Sequence, residues 1–589
     1  MKASSFFAAL GAAVLCVLAL APNYHLGLMT FAGIDALAAV GLVLLMRAGQ
    51  VSLGHAAFIG LGAYGAAILS RDFGWSPWLC LLAGSAIAAA AAAPIGLVTL
   101  RLRGTYLPLA TLAWGIAIHV VFMASELTGA SSGFDRIPPL AIAGTPIGNR
   151  AIGFLVWFVV LLAALGGSRL LRSRQGRVLR SLEEHEAVAT SFGVPAARLK
   201  MVVFVLSAAF AGLAGALYAF QARFISPTPF GVGASFTLLI VVMLGGMTHP
   251  VGAVIGALTV GLINLLLQTL FSGLVDRIGP IEPVIFGALL VGLLLRWPGG
   301  IWSALAPRLT GARTTPPTAD VAPLPGADAN AALATGPGAV PLLELINVDK
   351  RFGGVRALSG LSLRVPTGAI VGLIGPNGAG KSTAFNMMSG LSQPSSGEVC
   401  LRGESLPPAP HRVVGLGLAR TFQHVKLVGD MRVIDNVAIG AYWRGKAGVL
   451  AGLTGFDRHE ERRTMAVAHV ALARVGLAGL ADAPAGSLPL GKQRLVEIAR
   501  ALAAAPSLLL LDEPAAGLRA AEKQELIALA RKLQSEGMSI VLVEHDMQLV
   551  MTCVDSMVVL NQGSVLAEGT PAEIRGNRRV VEAYLGKGA

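Results

Sequence analysis

Apolar positions divide the chain into two differently patterned halves. Long, nearly uninterrupted apolar runs fill residues 1–300, with no period of two and no regular polar face. A bilayer-crossing helix takes about 20 such residues. The runs place ten candidate spans, beginning near Ser5, Leu26, Leu53, Pro77, Tyr106, Ala151, Met201, Ala234, Val251 and Ile281. The runs at Leu53 and Ala234 are the shortest and could be re-entrant. After Leu342 the pattern changes: short apolar strand-like runs alternate with amphipathic helical ones, as in a parallel α/β domain. Between the halves, residues 307–341 contain seven prolines and no apolar periodicity. That composition makes a semi-extended tether. The predicted fold class is therefore a polytopic α-helical membrane domain of about ten transmembrane helices (1–306), a Pro/Ala-rich linker (307–341) and a parallel α/β domain (342–589).

Composition supports the division. Of the 589 residues, 54% are apolar and 13% charged, against about 25% charged in ordinary soluble proteins. That excludes a disordered chain and a wholly soluble one. Four cysteines, Cys16, Cys80, Cys400 and Cys553, lie far apart and form no CxxC pair, so neither a disulfide framework nor a zinc site is expected. The net charge of +13 raises nucleic acid as a partner, but its placement removes the need for one. Arg169, Arg172, Arg174, Arg177, Arg180, Arg198 and Lys200 crowd one loop, and such loops stay cytoplasmic. Six predicted spans precede that loop and four follow it, which puts Lys2, Arg47, Arg101, Arg103 and the α/β domain on the same side. The N-terminal span has a signal-like Ala19-Leu20-Ala21, but Pro22 follows it, so an uncleaved anchor is expected. Asp35 sits mid-span, where an ionisable side chain generally faces a bundle interior or an aqueous path. His119, Asn264 and Gln268 read as interhelical hydrogen-bonding residues.

The chemistry lies in the second half. Gly375-Pro-Asn377-Gly378-Ala379-Gly380-Lys381-Ser382-Thr383 follows the strand-like run 369–374 and opens a helical one. This is a P-loop in its strand–loop–helix context. Its backbone N–H groups and helix N-terminus suit phosphate, Lys381 reaches the β- and γ-phosphates, and Ser382 ligands Mg²⁺. About 130 residues later, Leu508–Leu511 ends in Asp512-Glu513. A carboxylate there can hold the magnesium, and the next can orient or deprotonate the attacking water.

With these motifs in place, residues 342–589 resemble the ATPase domain of ATP-binding cassette transporters. The resemblance implies ATP and Mg²⁺ as cofactors. It assigns Phe352 to adenine stacking, Gln423 in Arg420-Thr-Phe-Gln423 to magnesium sensing and contact with a membrane domain, and His545 in Val543-Glu-His-Asp-Met547 to the γ-phosphate. Glu513, Lys381, Gln423 and His545 then form the catalytic set, and Ser382, Asp512 and Gln423 the metal set. The signature segment, usually LSGGQ, is Leu488-Pro489-Leu490-Gly491-Lys492 here, followed by Gln493. Gly491 and Gln493 keep their binding roles, while Pro489 replaces the serine and removes a backbone N–H. Arg519 replaces an acidic residue after the catalytic glutamate. Such cassettes pair head to tail, so unequal ATP sites are expected.

The details resemble the branched-chain amino acid importers. In the second half these are Glu513-Pro-Ala-Ala-Gly517 and Asn561–Thr570; in the first they are Gly49–Phe58, Arg101–Ala113 and Arg296-Trp-Pro-Gly299. The chain looks like a fusion of a permease and an ATPase that are usually separate. Ser181–Gly193 reads as one short helix ended by a C-cap glycine. By the resemblance this is the coupling segment, with Glu183, Glu184, Glu186 and Gly193 at its docking positions. The family implies a second permease, a second ATPase, a periplasmic solute-binding protein and a bacterial inner-membrane location. It also leaves open urea, short amides or aromatic carboxylates as cargo, or a non-transporting, mechanically signalling ATPase.

Overall fold

The computed structural model describes residues 3–102, 104–270, isolated positions between 284 and 292, 295–309 and 341–585. The chain separates into two compact units. One comprises residues 1–183, 197–313 and 448–456; the other comprises 184–196, 314–447 and 457–589. Residues 184–196 thus belong with the α/β unit, and residues 448–456 with the helical one.

Among the described residues of the helical unit, five helices are long and apolar enough to cross a membrane: Asn23–Met46, Pro77–Thr99, Tyr106–Ala124, Asn149–Arg172 and Ala196–Ala222. Counting a bent pair as one span gives up to six. The sequence pattern suggested about ten. Helices do start near nine of the expected positions, but several fall short of a span. His55–Arg71 has 17 residues. Val232–Gly245 has 14, and it meets the next helix at 114°. The bend has a local cause. Gly246 takes φ +119, and Pro250 begins the following helix. A Cβ at Gly245 would overlap the Gly252 carbonyl, so the two arms cross at backbone contact. The expected span at Ile281 lies outside the described residues, as does nearly all of the expected linker. The helix Gly300–Leu309 runs into that linker's first residues.

Small residues set the helical packing, as expected where lipid removes the hydrophobic drive between helices. A Cβ at Gly62 would overlap the backbone of Gly212, and one at Gly84 would lie 2.6 Å from the Gly62 carbonyl oxygen. Two polar contacts tie helices together: Trp157 Nε1 donates to the Met29 carbonyl at 3.0 Å, and the Ala56 amide donates to Ser235 Oγ at 3.1 Å. Asp35 lies mid-helix and half-buried.

The α/β unit is built on a six-stranded sheet in the order Ser564–Gly569, Ser556–Asn561, Ile370–Ile374, Ser539–Val543, Leu508–Asp512, Leu418–Arg420. All neighbours are parallel except the first pair. The three central strands are buried along their whole length, matching their unbroken apolar runs. A second, antiparallel sheet orders Val355–Val365, Leu343–Phe352, Ser396–Leu401 and Glu404–Ser405.

The segment expected as one helix over 181–193 is broken. Arg174–Glu184 ends, His185 adopts φ −143 and ψ 72, and Glu186–Ser191 forms a second helix. Glu183, in the helical unit, pairs with Arg47 at 2.8 Å. Glu184, Glu186 and Gly193 fall in the α/β unit. Val188 and Phe192 are fully buried in that unit's core. Gly193 has φ +94, and a Cβ there would lie 2.6 Å from that of Trp443.

A buried ionic ladder fixes the loop that carries Gln423. Helix Leu490–Ala503 places Arg494, Glu497 and Arg500 at intervals of three. Arg494 donates to the carbonyls of Phe422 (3.0 Å) and Gln423 (2.6 Å). Glu497 accepts from the Lys426 amide at 3.0 Å, and Arg500 donates to the Lys426 carbonyl at 2.8 Å. Arg500 also meets Glu497 at 3.1 Å and lies 5.4 Å over the Phe192 ring. Burial pushes the Glu497 carboxyl up, and the Arg500 guanidinium opposes the shift. Removing one member of such a set strands buried charge at a cost of about 3–5 kcal/mol. We therefore expect Glu497→Ala to lower the thermal unfolding midpoint of the purified chain sharply, and Glu497→Gln, which keeps an acceptor, to lower it less. An unchanged midpoint in Glu497→Ala would show that the ladder adds no stability.

Candidate nucleotide site

The parallel register brings the candidate residues to one edge. Val543 pairs with Leu373 on one side and with Asp512 on the other. The P-loop, Asp512-Glu513 and Glu544-His545 therefore leave the sheet together at the carboxyl ends of adjacent strands, where open α/β sheets bind ligands.

The P-loop takes its shape from three glycines at positive φ: Gly375 (+152), Gly378 (+80) and Gly380 (+98). Steric need differs among them. A Cβ at Gly375 would overlap the Leu560 carbonyl, and one at Gly380 would lie 2.6 Å from Leu358 Cδ2. A Cβ at Gly378 would meet nothing within 4 Å, so there the loop presents bare backbone to an open cradle. Helix Lys381–Met388 follows at once, adding its N-terminal N–H groups. Lys381 Nζ donates to the carbonyls of Gly375 (2.7 Å) and Pro376 (3.0 Å). Burial lowers its pKa, and the Glu513 carboxylate works the other way. Asn377 and Ser382 are exposed, Thr383 is half-buried and Ala379 is buried.

Asp512 ends its strand buried, and burial pushes its carboxyl up while Arg420 opposes the shift. Glu513 carries φ +45, a conformation that costs a non-glycine residue energy and collects at functional sites. Its amide donates to the Val543 carbonyl at 2.8 Å, and its Oε1 stands 2.8 Å from His545 Nε2. The sequence motifs of Glu513 and His545 thus meet as a hydrogen-bonded pair. Gln423 is exposed, its carbonyl held by Arg494. Phe352 ends its strand 55% exposed, with Lys350 Nζ 5.1 Å above its ring. At the signature, Pro489 caps helix Leu490–Ala503, and Gln493 Nε2 donates to the Leu488 carbonyl at 2.8 Å. Gly491 is buried, and a Cβ there would overlap the Glu522 carboxylate.

Three further residues were not singled out in the sequence. Arg420 is buried and donates to Asn386 Oδ1 (2.9 Å) and Ser389 Oγ (2.8 Å) on the P-loop helix, and to Asp512 Oδ2 (3.3 Å). Desolvation lowers its pKa to about 10. Its signal was a lone arginine closing the apolar strand Leu418–Arg420. Glu544 accepts from the Ala515 amide at 2.6 Å and the His545 amide at 3.2 Å. Burial raises its pKa. It stiffens the turn between Glu513 and His545. Glu522 accepts from the Arg519 backbone amide at 2.8 Å, at the start of helix Ala520–Ser535.

The cradle at Gly378 and the buried lysine fit a nucleotide phosphate chain. Among the described residues no three His, Cys, Asp or Glu side chains converge as a metal-binding group. A cation here would rest on Ser382, Asp512 and phosphate oxygens, a donor set that suits Mg²⁺.

Comparison with known proteins identifies both halves. Residues 24–295 match the branched-chain amino acid transport system permease component. Residues 358–516 match the ABC transporter ATPase, and 564–589 match the branched-chain amino acid ATP-binding cassette transporter. The high-affinity branched-chain amino acid transport ATP-binding protein BraF of Pseudomonas aeruginosa is 44% identical over 251 residues, 42% of this chain and 98% of that protein. The LivG protein of Escherichia coli K12, which bears the same description, is 42% identical over the same shares. A nucleotide-free cassette of an ABC transporter is 30% identical, covering 42% of this chain and all of that one, with a TM-score of 0.39. The chain therefore belongs to the branched-chain amino acid ATP-binding cassette transporters and carries their permease and their ATPase in one polypeptide.

Proposed function

We propose that the chain is the fused permease–ATPase subunit of a binding-protein-dependent importer for branched-chain and other apolar amino acids in a bacterial inner membrane. The observation that carries this reading is the double match: a branched-chain permease model on one half and branched-chain ATPase relatives on the other. A second permease, a second ATPase and a periplasmic binding protein complete the assembly.

Bound Mg²⁺ and ATP supply the cleavable phosphate bond and a counter-charge. The chain does the rest. Phe352 offers an exposed ring to adenine. The amides around Gly378 receive phosphate oxygens, and Lys381 exchanges the Gly375 and Pro376 carbonyls for them. Ser382 and Asp512 hold the cation, with Gln423 beside them. Glu513 takes a proton from the attacking water, and His545 orients Glu513 and meets the γ-phosphate. Arg420 acts one layer back. It keeps Asp512 in register with the P-loop helix, so that hydroxyl and carboxylate stay at a fixed separation. Segment 184–196 is part of the ATPase unit and continues without interruption into helix Ala196–Ala222. A rotation of that unit therefore pulls directly on a spanning helix.

Glu522 beside Gly491 gives the divergent signature a physical consequence. The Glu522 carboxylate lies against the first turn of the signature helix at Gly491, where its charge opposes an incoming phosphate, and Pro489 supplies no amide. The site completed by this signature should bind ATP more weakly than the site built on this P-loop.

Three outcomes follow. Labelled leucine uptake by the complete system should disappear in Lys381→Ala and resist excess urea, amides and aromatic acids. Failure of leucine uptake in a folded, ATP-hydrolysing complex would remove the substrate assignment and make those competitors the next candidates. Arg420→Lys, which keeps the charge but not the three-way fork, should lower ATPase kcat by about 10- to 100-fold; an unchanged kcat would deny Arg420 its positioning role. In the heteromeric complex, Glu513→Gln should reduce ATPase activity by a different factor from the same change in the partner ATPase. Equal losses would contradict unequal sites.

A further inference from the structure

Residues 448–456 lie in the ATPase half of the sequence but in the helical unit of the structure. They form the short helix Val449–Thr454, packed along helix Asn149–Arg172. Its inner face is Val449, Gly452 and Leu453. A Cβ at Gly452 would lie 2.9 Å from Leu170 Cδ1 and from Ser173 Oγ. A Cβ at Gly166 would lie 3.5 Å from the Leu453 carbonyl oxygen. Arg169 donates to the Thr454 carbonyl at 3.4 Å, closing the short helix's end. The outer face is apolar and unusually bare: Leu450 is 72% exposed and Phe456 is 88% exposed.

The contact site on the long helix shows what medium this outer face meets. Phe158 and Leu162 are exposed on a helix apolar enough to span a membrane. Steps of four, four and three carry that stripe through Gly166 to exposed Arg169. Leu453 therefore sits on the continuation of a lipid-facing stripe, just inside its terminal arginines. At 1.5 Å per residue, Gly166 lies about 5 Å inside Arg169 and about 9 Å inside Arg172. That is the depth at which interfacial helices bury their apolar face, about 5–10 Å at the headgroup–acyl boundary. In sequence the segment is flanked by Arg444 and Lys446 before it, and by Arg458, Arg462 and Arg463 interleaved with Asp457, Glu460 and Glu461 after it, so the basic excess that suits anionic headgroups lies on its N-terminal side.

We propose that residues 449–456 are an interfacial membrane anchor within the ATPase sequence, with Leu450 and Phe456 seated among the lipids beside helix Asn149–Arg172. The occupant of this face is lipid, not a second protein. Nothing in the nucleotide chemistry requires such an anchor.

The test uses the full chain in anionic nanodiscs. Cys16, the exposed cysteine among the four, is replaced by serine, and an environment-sensitive fluorophore is placed through Leu450→Cys or Phe456→Cys. A label through Glu525→Cys, at an exposed position on helix Ala520–Ser535, serves as the aqueous control. We expect blue-shifted emission at 450 and 456. A lipid bearing a nitroxide near its headgroup should quench it, and aqueous iodide should leave it nearly unchanged. The 525 label should show the reverse. Iodide quenching at 450 and 456 without lipid quenching would overturn the anchor. Protection from both quenchers would overturn it too, because a protein surface would then cover the face.

Discussion

The nucleotide chemistry depends on the register of three parallel strands. Val543 stands level with Leu373 and with Asp512, so a slip of one residue in either pairing would turn the catalytic edge inside out. Register in turn depends on burial. The strands Ile370–Ile374, Leu508–Asp512 and Ser539–Val543 are buried throughout, and no polar alternation lets them slide cheaply. Arg420 adds a directional constraint that an apolar core lacks. Its guanidinium joins the P-loop helix to the strand bearing Asp512, across a medium where an unmet charge would be costly.

The candidate site was largely legible in the sequence because phosphate chemistry constrains the backbone itself. The P-loop needs glycine where φ is positive or a Cβ has no room, and such positions leave a spelling. Glu513 and His545 were placed by motif, and they meet at 2.8 Å. Arg420, Glu544 and the ladder of Arg494, Glu497 and Arg500 were not legible, because a sequence shows a charge but not its partner. Each is fixed by a contact some 30 to 90 residues away in the chain; the spacing of three within the ladder is a helical one, but it does not report the loop that the ladder holds. In the helical half, the starts of the apolar runs were legible while the count of spans was not. Hydropathy averages over a window, and the 114° bend depends on Gly245, Gly246 and Gly252 at single positions. The break at His185 was hidden for the same reason: the pattern on either side is helical, and one residue leaves the helix.

Order along the chain is also a poor guide to membership of a unit. Residues 184–196 stand between two spanning helices in sequence, yet Val188 and Phe192 help to build the ATPase core. Residues 448–456 stand inside the ATPase sequence, yet they pack on a membrane helix. Both transfers are carried by apolar residues next to glycine. Gly193 admits Trp443, and Gly452 admits Leu170 and Ser173. A glycine at the contact lets a short segment approach closely enough to compensate for its small area. The buried arginine ladder then links the first segment to the nucleotide loop, since Arg500 holds the Lys426 carbonyl while its guanidinium covers Phe192.

Fusion alters what the divergent signature means. A separate ATPase subunit could pair with a copy of itself or with a partner, and a weak signature would then weaken one site or both. This ATPase is joined to one permease, so its pairing is tied to the pairing of the membrane halves. If the second permease differs, the second ATPase differs with it, and each site takes its P-loop from one chain and its signature from the other. Pro489 and Glu522 then affect only the site whose P-loop belongs to the partner, while Lys381, Asp512, Glu513 and His545 serve the other site with their own geometry intact. One strong and one weak site would still support closure, because each bound nucleotide bridges the same two surfaces.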